Sequence, residues 1–372
     1  MPYPDELNYW IEELSTALPQ LSPCHRQVLA LYSYGMVMTR HCGQTIVVTF
    51  LALLLGLRGQ NLRQRLREWT YETGQKRGDQ RRAVAVEMHF APLLRWILSH
   101  WLKPRRLILA ADVTYLRDRH TILAISVVYR GCAIPVAWRV IKGNEPGQWH
   151  PLWLTLLDSL RVAVPTSCEV FILWDRGLYS KHLFEKVCQM DWHPVMRVRS
   201  QGFYQRIHRK MWHSLSQVAT RGMTSQALRV QCFKGDPLTC TLWVQWPAQY
   251  DEPCLLVTDL HPRRLHRQGH PYALRTWIEA GFKDLKRGGL HWEQSKLSAP
   301  DRIQRWLFIV SLALFWLVRQ GSTQADELAY ADIPSTLSLT TLGWLNTLVC
   351  ALQGRQLPFA YFSPYSFPKP PS

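Results

Sequence analysis

Two aspartates and a glutamate in this chain occupy positions that suit oxygen ligands for a hard cation. Asp112 closes the apolar run LILAAD (107–112), and Asp175 closes CEVFILWD (168–175). Each run reads as a buried strand, so each carboxylate is expected at the rim of a core, partly desolvated and rigidly supported. That placement suits a hard cation such as magnesium, which takes oxygen donors on rigid supports. An aspartate ending one strand is equally a turn residue, and the pair gains meaning from a third segment. From Tyr272 to Arg287 the spacing predicts a helix, ended by Gly288 and Gly289. At ~100° per residue, Tyr272, Arg275, Glu279 and Lys286 fall within roughly 60° of arc on one face. Leu274, Trp277, Ile278, Phe282 and Leu285 form the apolar face beside them, and Lys283 and Arg287 widen the basic side. A carboxylate framed by Arg, Lys and Tyr can hold a metal with phosphate contacts around it. The same pattern also fits an ordinary amphipathic helix with i,i+4 ion pairs.

The elements that must position these acids follow from hydrophobic periodicity. Residues 1–102 read as helical, with apolar residues at helical spacing from Tyr9 to Leu14 and from Val28 to Tyr34. The stretch 45–69 divides into two helices at Gly56 to Gly59. The second is expected to start with an N-cap at Asn61, to run to Trp69, and to carry Arg63, Arg65 and Arg67. With the basic segment 74–82 beside it, this pair reads as a DNA-binding helical unit, a helix-turn-helix being one form; a helical hairpin with a solvated basic face is the other reading. From 103 the pattern turns to strands: 107–112, 121–130 and 132–141 suggest a three-strand meander, and 143–148 a loop containing Glu145. Helices are expected over 149–162 and 180–190, and strands over 168–175 and 193–199, which together imply a mixed α/β sheet. Residues 200–268 form a β-rich insertion, 269–320 return to the core, and 321–372 are a helical segment with a Pro-rich tail.

The segment YALRTWIEAGFKDLK resembles the Tyr–Arg–Glu–Lys signature of the insertion-sequence-four family of DDE transposases, in all four residue types and all three spacings. ADVTY is similar to that family's first-Asp segment and WDRGLYS to its second, and the order Asp, Asp, Glu with a long insert before the Glu matches too. The resemblance covers residues from about 107 to 310. It implies an RNase H-like sheet flanked by helices, with Asp112, Asp175 and Glu279 as catalytic ligands of two Mg2+ or Mn2+ ions. It further implies recognition of terminal inverted repeats, excision through hairpin ends, strand transfer into target DNA, and a homodimer in the synaptic complex. Tyr272, Arg275 and Lys286, with Lys283 beside them, would then contact phosphates. Relatives stack a flipped base on an aromatic in the insert, for which Trp243, Trp246 and Trp212 are candidates. Three apart on a strand, Trp243 and Trp246 are expected to face opposite sides, with at least one of them in the core.

Composition agrees with a nucleic-acid partner. There are 44 Lys and Arg against 27 Asp and Glu, a net charge of +17 spread along 372 residues, and this attracts polyanions. Nine scattered Cys without a CxxC argue against a disulfide framework or zinc knuckle and for a reducing compartment; taken with the resemblance to insertion-sequence transposases, which implies a bacterial nucleoid-associated protein, a cytoplasmic location is expected. The apolar runs 45–57 and 307–318 are shorter than the ~20 residues a membrane span needs, and read as buried helices. The 14 His contain no HExxH, and His266 and His270 flank a Gly–Pro break that argues against a zinc hydrolase. Asp284 and Glu293 read as surface charges, and no small-molecule substrate is implied. Two other readings use the same residues: an RNase H-like nuclease without strand transfer, and a non-catalytic DNA-binding protein derived from a transposase. A target-joined product separates the first from a transposase, and retention of all three acids counts against the second.

Overall fold

The computed structural model describes residues 3–76, 82–101, 105–117, 119–143, 149–268, 271–286, 289–327, 337–357 and 361–362. Glu145, His270, Arg287, Gly288, residues 77–81 of the basic segment 74–82 and most of the Pro-rich tail lie outside them. Five helices come first: α1 (Asp5–Ala17), α2 (Pro23–Thr39), α3 (Gln44–Leu55), α4 (Gly59–Thr70) and α5 (Phe90–Ser99). The break between α3 and α4 falls where expected, at Gly56, which takes a left-handed conformation. The expected cap at Asn61 is not used. α4 begins earlier, at Gly59, and its N-cap Arg58 makes no side-chain hydrogen bond.

The strands β1 (Arg106–Leu116), β2 (His120–Tyr129) and β3 (Cys132–Lys142) form the meander. Then follow α6 (His150–Arg161), β4 (Glu169–Trp174), α7 (Lys181–Gln189) and β5 (His193–Val198). β1 pairs antiparallel with β2 and β2 with β3, whereas β4 lies parallel to β1 and β5 parallel to β4. The order β3-β2-β1-β4-β5 is the RNase H-like mixed sheet. All ten residues of β2 are buried, as expected for a strand covered by helices on both faces.

The β-rich insertion comprises β6 (Phe203–Arg206), β7 (His213–Ser214), β8 (Met223–Cys232), β9 (Leu238–Trp246) and β10 (Cys254–Thr258). It extends the same sheet instead of forming a separate one. β10 pairs antiparallel with β5, so among the described residues one ten-stranded sheet runs from β3 to β7. The chain then passes through α8 (Pro262–Gln268), a 3₁₀ turn over Pro271–Arg275, α9 (Thr276–Leu285), α10 (Pro300–Glu327) and α11 (Leu339–Gln353).

The apolar run 307–318 is the middle of α10, which is 28 residues long. By length and composition this helix is able to cross a membrane, but its apolar window is wholly buried inside the protein. α2, α4, α11 and β3 surround it. The Gln304 side chain of α10 meets edge strand β3 as a further strand would: it accepts from Val140 N at 2.9 Å and donates to Trp138 O at 3.1 Å. This satisfies backbone groups that an open edge leaves unpaired. Gly321 and Gly343 let α10 and α11 cross in backbone contact, since a Cβ on Gly321 would lie 1.9 Å from Leu339 O. The N-terminal helices share this core. Trp10 and Tyr34 pack edge-on against Trp316, and buried Arg305 donates to Thr70 O and Val84 O at 3.0 and 3.1 Å.

Candidate active site

The two aspartates meet because their strands are neighbours. Parallel pairing between β1 and β4 ends at Ala111 opposite Trp174, so Asp112 and Asp175 occupy the next step on adjacent strands. Crevices at the carboxyl ends of parallel strands are where α/β sheets bind ligands. Asp175 follows the last residue of β4, as expected. Asp112 does not end its strand: β1 continues to Leu116, paired only with β2, and Asp112 lies opposite Ala124. The carboxylate therefore sits at the fork where β1 leaves β4 but keeps β2, with Oδ1 accepting from Val113 N at 2.8 Å.

The third acid arrives on α9, which packs across β1, β2 and β3. Its closest approach is at Gly281, where an added Cβ would lie 2.8 Å from the Ala133 Cβ and 2.9 Å from the Ala133 carbonyl oxygen. Ile278, Phe282 and Leu285 are buried beneath the helix, and Glu279 points outward with its side chain 58% exposed. The expected single helix from Tyr272 does not form. Residues Pro271–Arg275 make a 3₁₀ turn and the α-helix starts at Thr276. Lys286 is the C-cap residue, outside helical geometry. The tighter turn changes the angular spacing, so Tyr272 and Lys286 leave the stripe that a continuous helix would have made.

One guanidinium joins the three acids. Arg275 Nη2 lies 2.8 Å from Asp112 Oδ2 and 3.8 Å from Asp175 Oδ2, and Nη1 pairs with Glu279 Oε1. The side chains of Arg275 and Asp112 are largely buried, at 12% and 15% exposure. Burial raises the Asp112 carboxyl above its ordinary value despite the adjacent Arg275. Burial pulls Arg275 the other way, but Asp112, Asp175, Tyr272 and Glu279 together hold it above its ordinary value and fully charged. The Tyr272 hydroxyl is buried, and burial followed by the charge of Asp175 pushes its pKa well above the ordinary tyrosine value, so it stays protonated.

As they stand, the acids share a guanidinium. Among the described residues no group of three acid, Cys or His side chains is set to hold one ion directly. The donor chemistry fits a divalent ion nonetheless: three carboxylates, all hard oxygen donors, gather round a single positive charge that leaves them formally under-neutralised. Asp112 and Asp175 on rigid strands and Glu279 on α9 would hold it.

Sequence reasoning missed the surface next to this centre. A cavity of about 260 Å³ is lined by Arg176, Arg197, Arg199, Ser200, Gln201 and Glu252, among others. Arg176 directly follows Asp175 and pairs with Glu252 at 2.8 Å, and Arg197 is near enough to Tyr272 to act on its ionisation. The alternation of buried Met196 and Val198 with Arg197 and Arg199 was the available signal, since it puts both guanidinium groups on one face.

Other expected residues are placed as follows. Lys283 is exposed on α9, Arg67 is exposed on α4, and Arg63 is half-buried there. Trp243 is 1% exposed, so it is a core residue and not a stacking platform. β9 lies between β8 and β10, and that central position covers it. Trp246, at the end of β9, is half-buried, with its indole N–H donating to Tyr250 O at 2.9 Å; Trp212 is also half-buried. Asp284 is not a surface charge. It is half-buried against Cys132 and raised by burial, with a hydrogen bond to Thr340 opposing. Glu293 too is half-buried.

Residues 147–316 match the family described as the transposase DDE domain. The matched stretch contains Asp175, Tyr272, Arg275, Glu279 and Lys286, and begins after the meander that carries Asp112. It supports a DDE transposase. Among solved structures, a piggyBac transposase synaptic complex with hairpin DNA is similar at a TM-score of 0.42 and 12% identity, over 95% of this chain and 74% of that chain. No curated protein sequence matches.

Proposed function

We propose that this chain is a DNA transposase of the DDE type, encoded by an insertion sequence related to the insertion-sequence-four family. It cuts phosphodiester bonds at terminal inverted repeats and joins the freed 3′ ends to target DNA, passing through hairpin ends. The observation that carries this reading is the gathering of Asp112, Asp175 and Glu279 around one guanidinium, that of Arg275, within a chain whose residues 147–316 match the transposase DDE domain.

Two Mg2+ or Mn2+ ions held by these three acids would supply activation of the attacking oxygen and stabilisation of the leaving one. The residues around them do the rest. Asp112 and Asp175 are fixed by strands, so their oxygens would be held ready for the ions instead of having to be gathered from mobile side chains. Arg275 is suited to bidentate phosphate contact, and Lys286 and Lys283 to point-charge contact. Arg176, Arg197 and Arg199 line a cleft beside Asp175 that suits the backbone of a strand leaving the centre. Tyr272 packs under the site with its hydroxyl buried, and its role is to seat Arg275. Arg63 and Arg67 on α4 are assigned to duplex contact, making residues 1–102 a DNA-binding unit on the catalytic core of 103–199 and 269–320. Paired-end chemistry calls for two copies of the chain on DNA, in the bacterial nucleoid.

The test uses duplexes copied from the DNA flanking the gene. With Mg2+ or Mn2+, the purified chain is expected to nick the repeat end and to yield a target-joined product. Nicking without joining would make the chain an RNase H-like nuclease. Binding without cutting under both ions would leave a non-catalytic DNA-binding protein.

A further inference from the structure

The position of Arg275 poses a problem for the three-acid centre. Its guanidinium stands among the oxygen atoms that a divalent ion would need, with one nitrogen near both strand aspartates and the other on Glu279. It is not a surface side chain that happens to reach inward, because only 12% of it is exposed. It springs from the last residue of a 3₁₀ turn, one residue before α9 begins, so the same backbone segment carries both the guanidinium and Glu279. Three carboxylates in a partly desolvated fork repel one another strongly unless a cation lies between them.

We infer that Arg275 is an internal stand-in for the catalytic cation: it holds Asp112, Asp175 and Glu279 together in the metal-free protein and competes directly with divalent metal for them. For metal to be held by all three acids the guanidinium must withdraw. Its flexible stem and planar, forked donors make a phosphate diester the natural alternative partner. Arrival of DNA would then draw Arg275 off the acids and open them to metal. This second half rests on the transposase reading, whereas the competition itself does not.

The competition predicts a sign that a merely structural arginine would not produce. A residue that only organises the acids weakens metal binding when it is removed; a competitor strengthens it. The experiment measures Mn2+ binding to the full chain by calorimetry and by the electron paramagnetic resonance signal of free Mn2+. Arg275→Gln is expected to bind Mn2+ more tightly than the native chain, on the order of tenfold or more, in the range of ordinary site-to-site coupling. Arg275→Lys keeps the charge but not the fork, and is expected to fall between the two. It also answers the question if the Gln variant does not fold. Equal or weaker Mn2+ binding in the folded variants overturns the proposal.

A mixed-sequence duplex oligonucleotide forms the second arm. It is expected to tighten Mn2+ binding to the native chain and to have little effect on Arg275→Gln. A duplex that binds but leaves the Mn2+ affinity of the native chain unchanged overturns the withdrawal onto phosphate. A duplex that does not bind at all counts against the transposase reading, and the metal-only arm still decides the competition.

Discussion

Replacing Gly281 with alanine asks whether the place of Glu279 depends on the contact between α9 and β3. The new Cβ would stand 2.8 Å from the Ala133 Cβ, 2.9 Å from its carbonyl oxygen and 3.0 Å from its nitrogen. Ordinary carbon contacts lie at about 3.5–4.0 Å. Two of the three opposing atoms are backbone in a sheet, which does not yield, so the helix must rise by roughly 0.7–1 Å. Overpacking of this kind costs about 1–3 kcal/mol, against the roughly 0.4–1 kcal/mol that Gly→Ala normally contributes by restricting the unfolded chain. The expected net change is therefore a loss of stability, opposite in sign to the effect at an open helical site. Glu279 is two residues away on the same rigid segment and moves with it. A displacement near 1 Å of a catalytic group lowers rates by about 10²-fold. Urea unfolding gives the stability and cleavage of repeat-end duplexes gives the rate. Ala133→Gly in the same chain removes one of the three opposing atoms and is expected to restore part of both. A Gly281→Ala protein that is as stable as the native chain and cuts at the native rate would show that α9 does not position Glu279 through this contact.

Asp112→Asn, Asp175→Asn and Glu279→Gln are each expected to abolish cleavage while leaving DNA binding and melting temperature close to native; cutting at the native rate by any one of them removes that residue from the centre. Glu13 joins α1 to α5 and α10 through His100 and Arg319. Burial raises its carboxyl, but the His100 hydrogen bond and the Arg319 pair outweigh burial and hold it below the usual value. A depressed carboxylate gives stability that is present above its unfolded pKa of about 4.3 and lost as pH falls through the folded value. Glu13→Gln is thus expected to cost on the order of 3 kcal/mol at neutral pH, as for breaking a buried pair. It should also flatten the acid limb of a urea-stability profile run from about pH 7 to about pH 3, and an unaltered acid limb refutes the assignment. Trp243→Ala is expected to destabilise by about 3–5 kcal/mol with no selective loss of DNA affinity, whereas Trp246→Ala should spare stability. Weakened DNA binding by a fully stable Trp243→Ala protein would return that residue to the surface.

Much of the candidate centre was legible because the elements that carry it depend on local pattern. Strand runs ending in Asp, an apolar face at helical spacing and a Gly at the α3–α4 break are each set by residues a few positions apart. The same locality explains the errors. Asp112 reads as a strand end because VTYL beyond it is less uniformly apolar, yet that segment pairs with β2 and stays in the sheet. Tyr272 and Arg275 read as the first turn of a helix, but Pro271 opens a 3₁₀ turn there and the α-helix begins at Thr276. The pairing of Arg275 was hidden for a different cause: a lone basic residue in sequence suggests phosphate, and its contact with Asp112 spans 163 positions, so its part as counter-ion of the acids is visible only in the fold.

Residue type and spacing alone determined which side chains are able to act: three hard-oxygen donors, two of them at the margins of apolar runs, with Arg and Lys alongside the third. Side-chain chemistry and the periods of strand and helix are properties of short stretches, so they survive without a fold. Tertiary structure decided what those side chains meet. The pairing of β1 with β4 brings Asp112 beside Asp175, the fit of Gly281 on Ala133 sets Glu279 over them, and the pairing of β10 with β5 joins the insertion to the core and, with β8 beyond it, encloses β9 and Trp243. Each of these is a contact between segments far apart in the chain. Its energy comes from excluding water between surfaces that no local pattern can pair in advance.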